Sequence, residues 1–318
     1  MTVSKFHIKK ISEINKDQLL KFYQKTFHYE KVVLDDFNWR YRKDFGNFEP
    51  LILTINNQIC GHAGLIPIDL KIKDKREKAI WFTDFYIDQK YRFKGYGKLL
   101  TEEWMKICPI QITICNNESL RIFKKLKWRS NNKFVRRIEF NNYFKILPVF
   151  RKYIKTNNIK NDFNKLKLIE LNFTTIGKVI EKNNQDLSKK SFGIIRDESW
   201  FKWRLTECPY RKNLYIFEYK NNYFITHLKL KNNFKILNIL YSSNNFSGDI
   251  KNIFSEFLKK NNIDFLAYVS KTRKFSDIIF PWQKKLNFAY HTDEKFISNM
   301  INDQLTNVQL IDSDIDYL

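Results

Sequence analysis

The sequence predicts an α/β chain organised as two domains, and three observations carry that expectation. An apolar, aromatic stretch, Phe82-Thr83-Asp84-Phe85-Tyr86-Ile87-Asp88, runs into a basic turn with two glycines and then into an apolar-periodic helix. Ahead of it, Leu51–Asn56 and Ile59–Leu70, separated by Asn57-Gln58, read as a hairpin. A chain of 318 residues suggests about two domains, and this one repeats itself. Trp200-Phe201-Lys202-Trp203-Arg204-Leu205 echoes Asp36-Phe37-Asn38-Trp39-Arg40-Tyr41 at a distance of roughly 164 positions, a period that signals duplication of a whole domain.

Taken in order, Phe6–Ile11 alternates as a strand, and Asn15–Phe27 is an amphipathic helix with Leu19, Leu20, Phe22, Tyr23 and Phe27 on its apolar face. Leu34–Tyr41 reads as a short helix opened by Asp35 or Asp36 as N-cap. In the hairpin, Pro67 interrupts the second strand, and Lys71–Lys78 reads as a charged turn before the strand Ala79–Asp88. Gly97–Lys106 is the helix after the glycine turn, with Leu99, Leu100, Trp104 and Met105 toward the sheet. Strand Ile110–Cys115, helix Ser119–Leu126 and strand Phe134–Phe140 complete the first unit.

Tyr143–Tyr153 is an aromatic, basic connector and Thr156–Lys165 a polar linker. The second half then follows the first: strand Lys167–Leu171, helix Thr174–Asn183, hairpin Leu214–Tyr219 with Tyr223–Leu230, strand Phe234–Tyr241, helix Ile250–Lys260 and strand Phe265–Val269. The expected boundaries are 1–142, a connector at 143–165, a second domain at 166–300, and an acidic tail at 301–318 without a motif.

Composition narrows the function classes. An aromatic fraction of 16% argues for filled interiors over disorder. The net charge of +23 has two readings, a uniformly lysine-rich surface or attraction to anions. No nucleic-acid-binding signature accompanies it, so no nucleic-acid partner is expected. Cys60, Cys108, Cys115 and Cys208 have neither metal spacing nor a disulfide framework, so reduced thiols and no metal are expected. With no apolar run of about 18 residues and no leader-like N-terminus, the expected location is the cytoplasm.

The turn carries the chemistry. Gly95 and Gly97 lack a Cβ, so an anion can approach the main chain, and the following helix adds its positive dipole end. Arg92, Lys94 and Lys98 add charge, and the whole reads as a pyrophosphate site. The Arg-x-x-Gly-x-Gly pattern after a strand, in the order hairpin, strand, turn, helix, strand, helix, resembles the acyl-CoA loop of the GNAT superfamily of N-acyltransferases over roughly Ile8 to Phe140.

The resemblance implies two GNAT-like domains, each a mixed, mostly antiparallel sheet flanked by helices, with the second copy degenerate. Its Ser242–Gly248 segment has one glycine and no arginine. It also implies acetyl-CoA as co-substrate and a primary amine of a small molecule as acceptor, with a nucleotide-linked amino sugar as one candidate. A protein or peptide amine, or a CoA-binding sensor without turnover, stands beside that reading. A monomer or homodimer is expected.

By the same resemblance, backbone groups of Phe85, Tyr86 and Ile87 hold the pantetheine arm and thioester, and Arg92, Phe93, Lys94, Gly95, Tyr96, Gly97 and Lys98 the diphosphate. Asn117 is either a contact to the arm or a helix N-cap. A glutamate of polyamine-type relatives is Thr83 here, which turns attention to Asp84 as general base, with His62 as a second base and Tyr86 as acid. Each has a structural alternative: a strand-end hydrogen bond for Asp84, a packed core residue for His62. The usual tyrosine acid is replaced by Phe123, which cannot donate a proton. Trp39-Arg40-Tyr41 is a candidate acceptor site, Arg40 clamping a phosphate or carboxylate, or else a core anchor.

Overall fold

The computed structural model describes residues 6–27, 37–42, 48–141, 166–243, 249–270, 284–304, 309 and 312. The connector at 143–165, the Asp35 and Asp36 caps and positions 244–248 of the second half lie outside the described residues. In chain order the strands are β1 Phe6–Lys10, β2 Leu51–Ile55, β3 Gln58–Ile72, β4 Lys75–Ile87, β5 Gln111–Cys115, β6 Arg129–Phe140, β7 Lys167–Ile169, β8 Phe192–Ile195, β9 Leu214–Tyr219, β10 Asn222–Lys231, β11 Phe234–Ser242, β12 Phe265–Ser270 and β13 Lys284–His291. The helices are α1 Lys16–Phe27, α2 Phe37–Arg40, α3 Tyr96–Met105, α4 Asn117–Lys125, α5 Phe173–Ser188, α6 Glu198–Phe201, α7 Ile250–Lys260 and α8 Lys295–Gln304.

Two compact units share these elements, Met1–Asn131 with Asn287–Gln304, and Asn132–Leu286 with Leu305–Leu318. In the first, β1, β2, β3 and β4 are antiparallel neighbours, β5 runs parallel to β4, and Asn287–His291 of β13 pairs antiparallel with β5. In the second, β7, β9, β10 and β11 are antiparallel neighbours, β12 runs parallel to β11, and β6 pairs antiparallel with β12. The same order of directions therefore recurs in both sheets.

The division differs from the boundaries at 142 and 300: the closing strands are exchanged, α8 falls in the first unit, and residues 305–318 fall in the second. Phe134–Phe140, expected to complete the first unit, pairs instead with β12, while a strand some 150 residues later closes the first sheet. Strand periodicity fixes which face a residue presents but not which neighbour its edge finds. Alternation along Phe134–Phe140 fits either sheet equally.

Apolar residues sort to opposite faces of the first sheet with period two. Leu53, Ile55, Cys60, Ala63, Leu65, Ile80 and Phe82 pack with Leu100 and Trp104 of α3, Phe123 of α4 and Ala289 of β13. Ile52 and Tyr86 face the other way, against Ile11, Leu19, Phe22 and Tyr23. Phe82 stacks on Trp104 with centroids 3.4 Å apart. In the second unit Phe217, Phe224, Leu237 and Leu266 pack against Phe254, Phe257 and Leu258 of α7.

Several local expectations are corrected. Lys71–Lys78 is not a turn: the β3–β4 ladder continues to Ile72 opposite Lys75, leaving only Lys73-Asp74 to reverse the chain. Its charges are paired across the hairpin, where buried Asp69 binds Arg76 and, at 2.8 Å, Lys78. Pro67 stays within β3 opposite Ile80. Leu99 is 37% exposed, and Leu100, Thr101 and Trp104 form the inner face of α3. The segment expected as a motif-free tail is anchored: Asp312 forms a buried ion pair with Arg196, and the Gln309 side chain bonds both backbone groups of Ser242. All four cysteines are free thiols.

The exchange makes a direct prediction. A fragment ending at residue 142 lacks β13 and Ala289, so it should melt without a cooperative transition and lose near-ultraviolet dichroism. Residues 1–131 joined by a short linker to 284–304 should regain both.

Candidate acyl-CoA site and its buried clamp

The turn after β4 leaves the backbone amides of a helix start without side-chain caps. Asp88 caps a single 3-10 turn at Gln89–Tyr91 by accepting from the Lys90 amide, and α3 begins at Tyr96 with Gly95 as N-cap. Gly95 has φ of +87°, and a Cβ there would meet nothing within 4 Å. Glycine is thus required by conformation, and the space beside it is open. The first intrahelical acceptance is by the Gly95 carbonyl from Leu99 at 3.1 Å. The amides of Tyr96, Gly97 and Lys98 belong to the first turn, which has no intrahelical acceptors, and no side chain caps this end. Phe93 stands fully exposed at the tip.

The side chains around the turn depart from the expectation in part. The Arg92 Nε donates to the Ile87 carbonyl at 2.9 Å, with its guanidinium 5.7 Å from the Tyr86 ring centroid, so its first partner is the strand itself. Lys94 lies over the Tyr91 ring, and Lys98 pairs with Glu102 at 3.6 Å. Asn116, not Asn117, is the N-cap of α4, accepting from Ser119 at 2.8 Å. Asn117 Oδ1 accepts from Asn287 of β13, also at 2.8 Å. Two consecutive asparagines left the cap assignment ambiguous in the sequence.

Beside this turn the sheet forks. The parallel ladder between β4 and β5 holds Ile80, Trp81 and Phe82 against Gln111, Ile112 and Thr113, and the recorded pairing ends there. The Thr113 hydroxyl donates to the Phe82 carbonyl at 2.8 Å, at the point of divergence. Immediately beyond, the β3–β4 register slips: Gly64 opposes Thr83, His62 opposes Tyr86, and Ala63 faces both Asp84 and Phe85. The extra residue is Asp84, at φ +48°. This bulge lets Phe82 and Phe85 both lie against Trp104.

Backbone direction beyond the bulge follows from ladder alternation. The Asp88 amide donates to the Cys60 carbonyl, so Cys60–Asp88 and His62–Tyr86 are the mutually hydrogen-bonded pairs. Tyr86 therefore directs its backbone groups to β3, and Ile87 directs its own to the fork. Of the three residues expected to present backbone groups to a thioester, Tyr86 turns both of its groups to β3, and Ile87, whose carbonyl accepts from Arg92, keeps its amide toward the fork.

The side chains expected to do acid–base work converge on the bulge. Arg40 from α2 donates through Nε to Asp84 Oδ2 at 2.7 Å and through Nη2 to Oδ1 at 2.9 Å. The Tyr41 hydroxyl donates to Oδ2 at 2.7 Å. The two charged side chains are 6% and 9% exposed. His62 is fully buried; its Nδ1 lies 2.8 Å from the Asp84 carbonyl and its Nε2 2.7 Å from the Tyr23 hydroxyl. A carbonyl only accepts, so Nδ1 carries the proton and Nε2 accepts from Tyr23. The glycines flanking His62 fit this packing. A Cβ on Gly64 would come within 2.7 Å of the Tyr41 ring, and one on Gly61 within 2.8 Å of Ile87.

Electrostatics follow. Burial pushes the Asp84 carboxyl up, but the charge and hydrogen bonds of the Arg40 guanidinium, with help from the Tyr41 hydroxyl, outweigh it and hold Asp84 below the usual carboxylate range. Burial pushes His62 down, so the ring stays neutral, and burial together with the Asp84 charge raises the Tyr23 and Tyr41 phenols. A carboxylate already accepting three charge-assisted or phenolic hydrogen bonds is a poor proton acceptor. Arg40 is engaged with Asp84 rather than displayed to an acceptor, and Trp39 and Tyr41 are buried beside it. Removing either charge of this pair would leave the other uncompensated, a loss on the order of 3–5 kcal/mol.

The sequence assigns no site role to Thr83 or Trp104, yet each brings a buried polar atom to the fork. The Thr83 hydroxyl and the Trp104 indole N–H are buried without a hydrogen-bond partner among the described residues. Phe123, at the usual tyrosine position, is 2% exposed and packs 4.4 Å from the Trp128 centroid. Among the described residues no group of three or more His, Cys, Asp or Glu is placed to hold a metal, and no helix is long and apolar enough to cross a membrane.

Comparison with known proteins bears on this geometry. A family model described as the acetyltransferase (GNAT) family matches residues 9–128, which span α1 to α4 and include both the turn and the bulge. The fold is similar to that of N-myristoyltransferase of Saccharomyces cerevisiae solved with myristoyl-CoA, at 13% identity, covering 92% of this chain and 83% of that one with a TM-score of 0.57. It is also similar to GCN5-related N-acetyltransferases of Kribbella flavida and Anabaena variabilis. The first is 9% identical, covers 90% of this chain and 71% of that one, and has a TM-score of 0.56. The second is 15% identical, covers 90% and 72%, and has a TM-score of 0.55. A curated Dictyostelium discoideum protein, described as a candidate subunit 23 of the mediator of RNA polymerase II transcription, is 27% identical over 214 residues. That stretch is 57% of this chain and 12% of that protein.

Neutral, buried His62 predicts a pH effect on stability. Its folded value is depressed, so the unfolded chain binds a proton first as pH falls below about 6.5, and stability declines from there downward. Depressed Asp84 adds a further loss below about pH 4. Thermal midpoints should fall between pH 7 and 5, and His62→Gln, which can donate to Asp84 and accept from Tyr23 without titrating, should flatten that slope.

Proposed function

We propose, from the match of the acetyltransferase (GNAT) family model to residues 9–128, that this chain is an acyl-CoA-dependent N-acyltransferase whose donor is held by the first unit. The observation that carries the proposal is the uncapped start of α3 at a left-handed glycine, beside a fork in the sheet. Amides of Tyr96, Gly97 and Lys98, with Lys94 close by, suit the diphosphate of coenzyme A. The Ile87 amide, directed to the fork, suits the carbonyl oxygen of a thioester. Acetyl-CoA is the expected donor.

In this reading an amine nitrogen attacks the thioester carbonyl, the carbon–sulfur bond breaks, and the thiolate leaves and takes up a proton. The backbone supplies electrostatic stabilisation to the tetrahedral oxyanion. The amine proton goes to water rather than to Asp84, whose oxygens are occupied, or to His62, whose Nε2 is occupied by Tyr23. Tyr86 remains the one side chain of the expected acid–base set that is neither fully buried nor part of the Asp84 cluster, and in this reading it is a candidate to reprotonate the thiolate. The acceptor is a primary amine. An anionic acceptor loses its argument from Arg40, which is bound to Asp84. A cytoplasmic setting, where acyl-CoA is made and used, accords with this chemistry.

The second unit supports a different role for itself. It repeats the fork, with pairing recorded up to Asn238 opposite Ala267, and a bulge opposite Ile225 and Thr226 with Leu240 the extra residue on β11. Yet α7 begins at Asp249, whose carboxylate accepts from Asn252 at 3.3 Å. An aspartate occupies the place where a phosphate would dock, so this unit serves as a structural partner and not as a second donor site.

A CoA-binding role without turnover draws on Phe123, which removes the usual acid. The two readings separate by measurement. Calorimetry should show acetyl-CoA binding, and thiol release with a panel of amines should show turnover above the uncatalysed rate. Gly95→Asp should abolish binding by placing a carboxylate in the cradle and straining the left-handed position. The far-ultraviolet spectrum should be unchanged, because a side chain at 95 meets open space. Undiminished affinity in that variant would remove the site.

A further inference from the structure

We infer that Arg40, Tyr41 and His62 are positioning residues for acyl transfer, acting together to hold the Asp84 kink of β4 so that the backbone after it faces the fork. None of them contacts a substrate in this account. The inference rests on the acyltransferase reading above and adds to it which side chains set the geometry of a site made of main chain.

The kink is held at both of its ends. Its side chain is gripped by three hydrogen bonds, two from Arg40 and one from Tyr41, all between 2.7 and 2.9 Å. Its carbonyl is gripped by His62 Nδ1–H at 2.8 Å, and His62 is in turn fixed by Tyr23 from α1. A non-glycine residue at φ +48° is disfavoured and persists where its surroundings over-determine it. Here four side chains from three separate segments do so. Gly64 is needed for the same reason, since a Cβ there would displace Tyr41.

A second observation shows that the clamp is not needed simply to make a bulge. The second sheet carries a bulge at the corresponding ladder, where Leu240 is the extra residue on β11. That position is a leucine and offers no carboxylate to a guanidinium, whereas Asp84 does. The bulge is common to both units; the buried ion pair on it occurs where the uncapped helix and the family match occur. Two fixed ends determine the peptide planes that follow, and a main-chain donor is useful to a thioester only at fixed direction.

The test uses the full chain and acetyl-CoA labelled with carbon-13 at the carbonyl, in wild type, Asp84→Asn and Tyr41→Phe. Calorimetry reads binding, infrared difference spectroscopy reads the bound carbonyl band, and thiol release reads slow hydrolysis of the thioester by water between pH 6 and 9. In wild type the band should lie below its solution frequency, reporting polarisation by the fork. Asp84→Asn should bind acetyl-CoA within about threefold of wild type, return the band toward solution frequency, and hydrolyse on the order of 100-fold more slowly. The shape of its pH profile should not change. Tyr41→Phe, which deletes one hydroxyl and keeps the ion pair, should shift the band and the rate in the same direction by a smaller amount, and it serves if Asp84→Asn fails to fold.

An unmoved carbonyl band in folded variants that bind acetyl-CoA overturns the positioning role and leaves the acyltransferase reading in place. Loss of one limb of the pH profile in Asp84→Asn overturns it in favour of a general base. Failure of the wild-type protein to bind acetyl-CoA overturns the parent reading, and this inference with it.

Discussion

The arrangement of the first unit turns on one buried ion pair. Asp84 is the extra residue of a bulge, in a backbone region that L-residues enter at a cost of about 1–2 kcal/mol, and it stays there because Arg40 and Tyr41 hold its carboxylate and His62 its carbonyl. From that kink follow the pairing of Phe82 and Phe85 with Trp104, the register of Tyr86 against His62, and the direction of Ile87 toward the fork. The glycine turn and the start of α3 come directly after. A buried pair of charges thus sets the course of uncharged backbone groups along the fork.

That division of labour explains a set of residues whose types invite another reading. Aspartate, histidine, arginine and tyrosine gathered within a few ångströms look like acid–base chemistry. Each is instead satisfied by another: the carboxylate is depressed by its guanidinium, the imidazole is neutral through burial, and the phenols are raised. The net charge of the group is near zero, which suits a site whose remaining donors are amides. The second unit shows the same sheet order with Leu240 at its bulge, and its helix α7 is closed by Asp249 where α3 is open at Gly95.

Much of the fold was legible because its signals are local. The hairpin at 51–70, the glycine turn, the helices after it and the repetition of the order in the second half depend on residues within a few positions of one another. The exchange of closing strands was not legible, since β6 and β13 are chosen by edges far away in the chain. Lys71–Lys78 looked like a turn because its charges were counted without their partners, which lie across the ladder on Asp69. The tail seemed featureless because Asp312 acquires its meaning only from Arg196, 116 residues earlier.

The candidate site divides in the same way. Gly95 and its open surroundings follow from the sequence, because a left-handed cap and a phosphate approach both demand the absence of a side chain. The role of Trp39-Arg40-Tyr41 does not, because a guanidinium that binds Asp84 and one that binds a substrate are written with the same letters. In an unbulged strand Asp84, Tyr86 and Asp88 would share one face; the extra residue at 84 is what simple alternation cannot contain.

Amide resonances give the most direct test that donor binding is the work of backbone groups at one turn and one strand. With nitrogen-15-labelled protein titrated with acetyl-CoA, the account predicts that the largest shifts fall on Gly95, Tyr96, Gly97, Lys98 and Ile87, while amides of Ile250–Lys260 stay in place. Shifts concentrated in the second unit, or none at saturating acetyl-CoA, would contradict it.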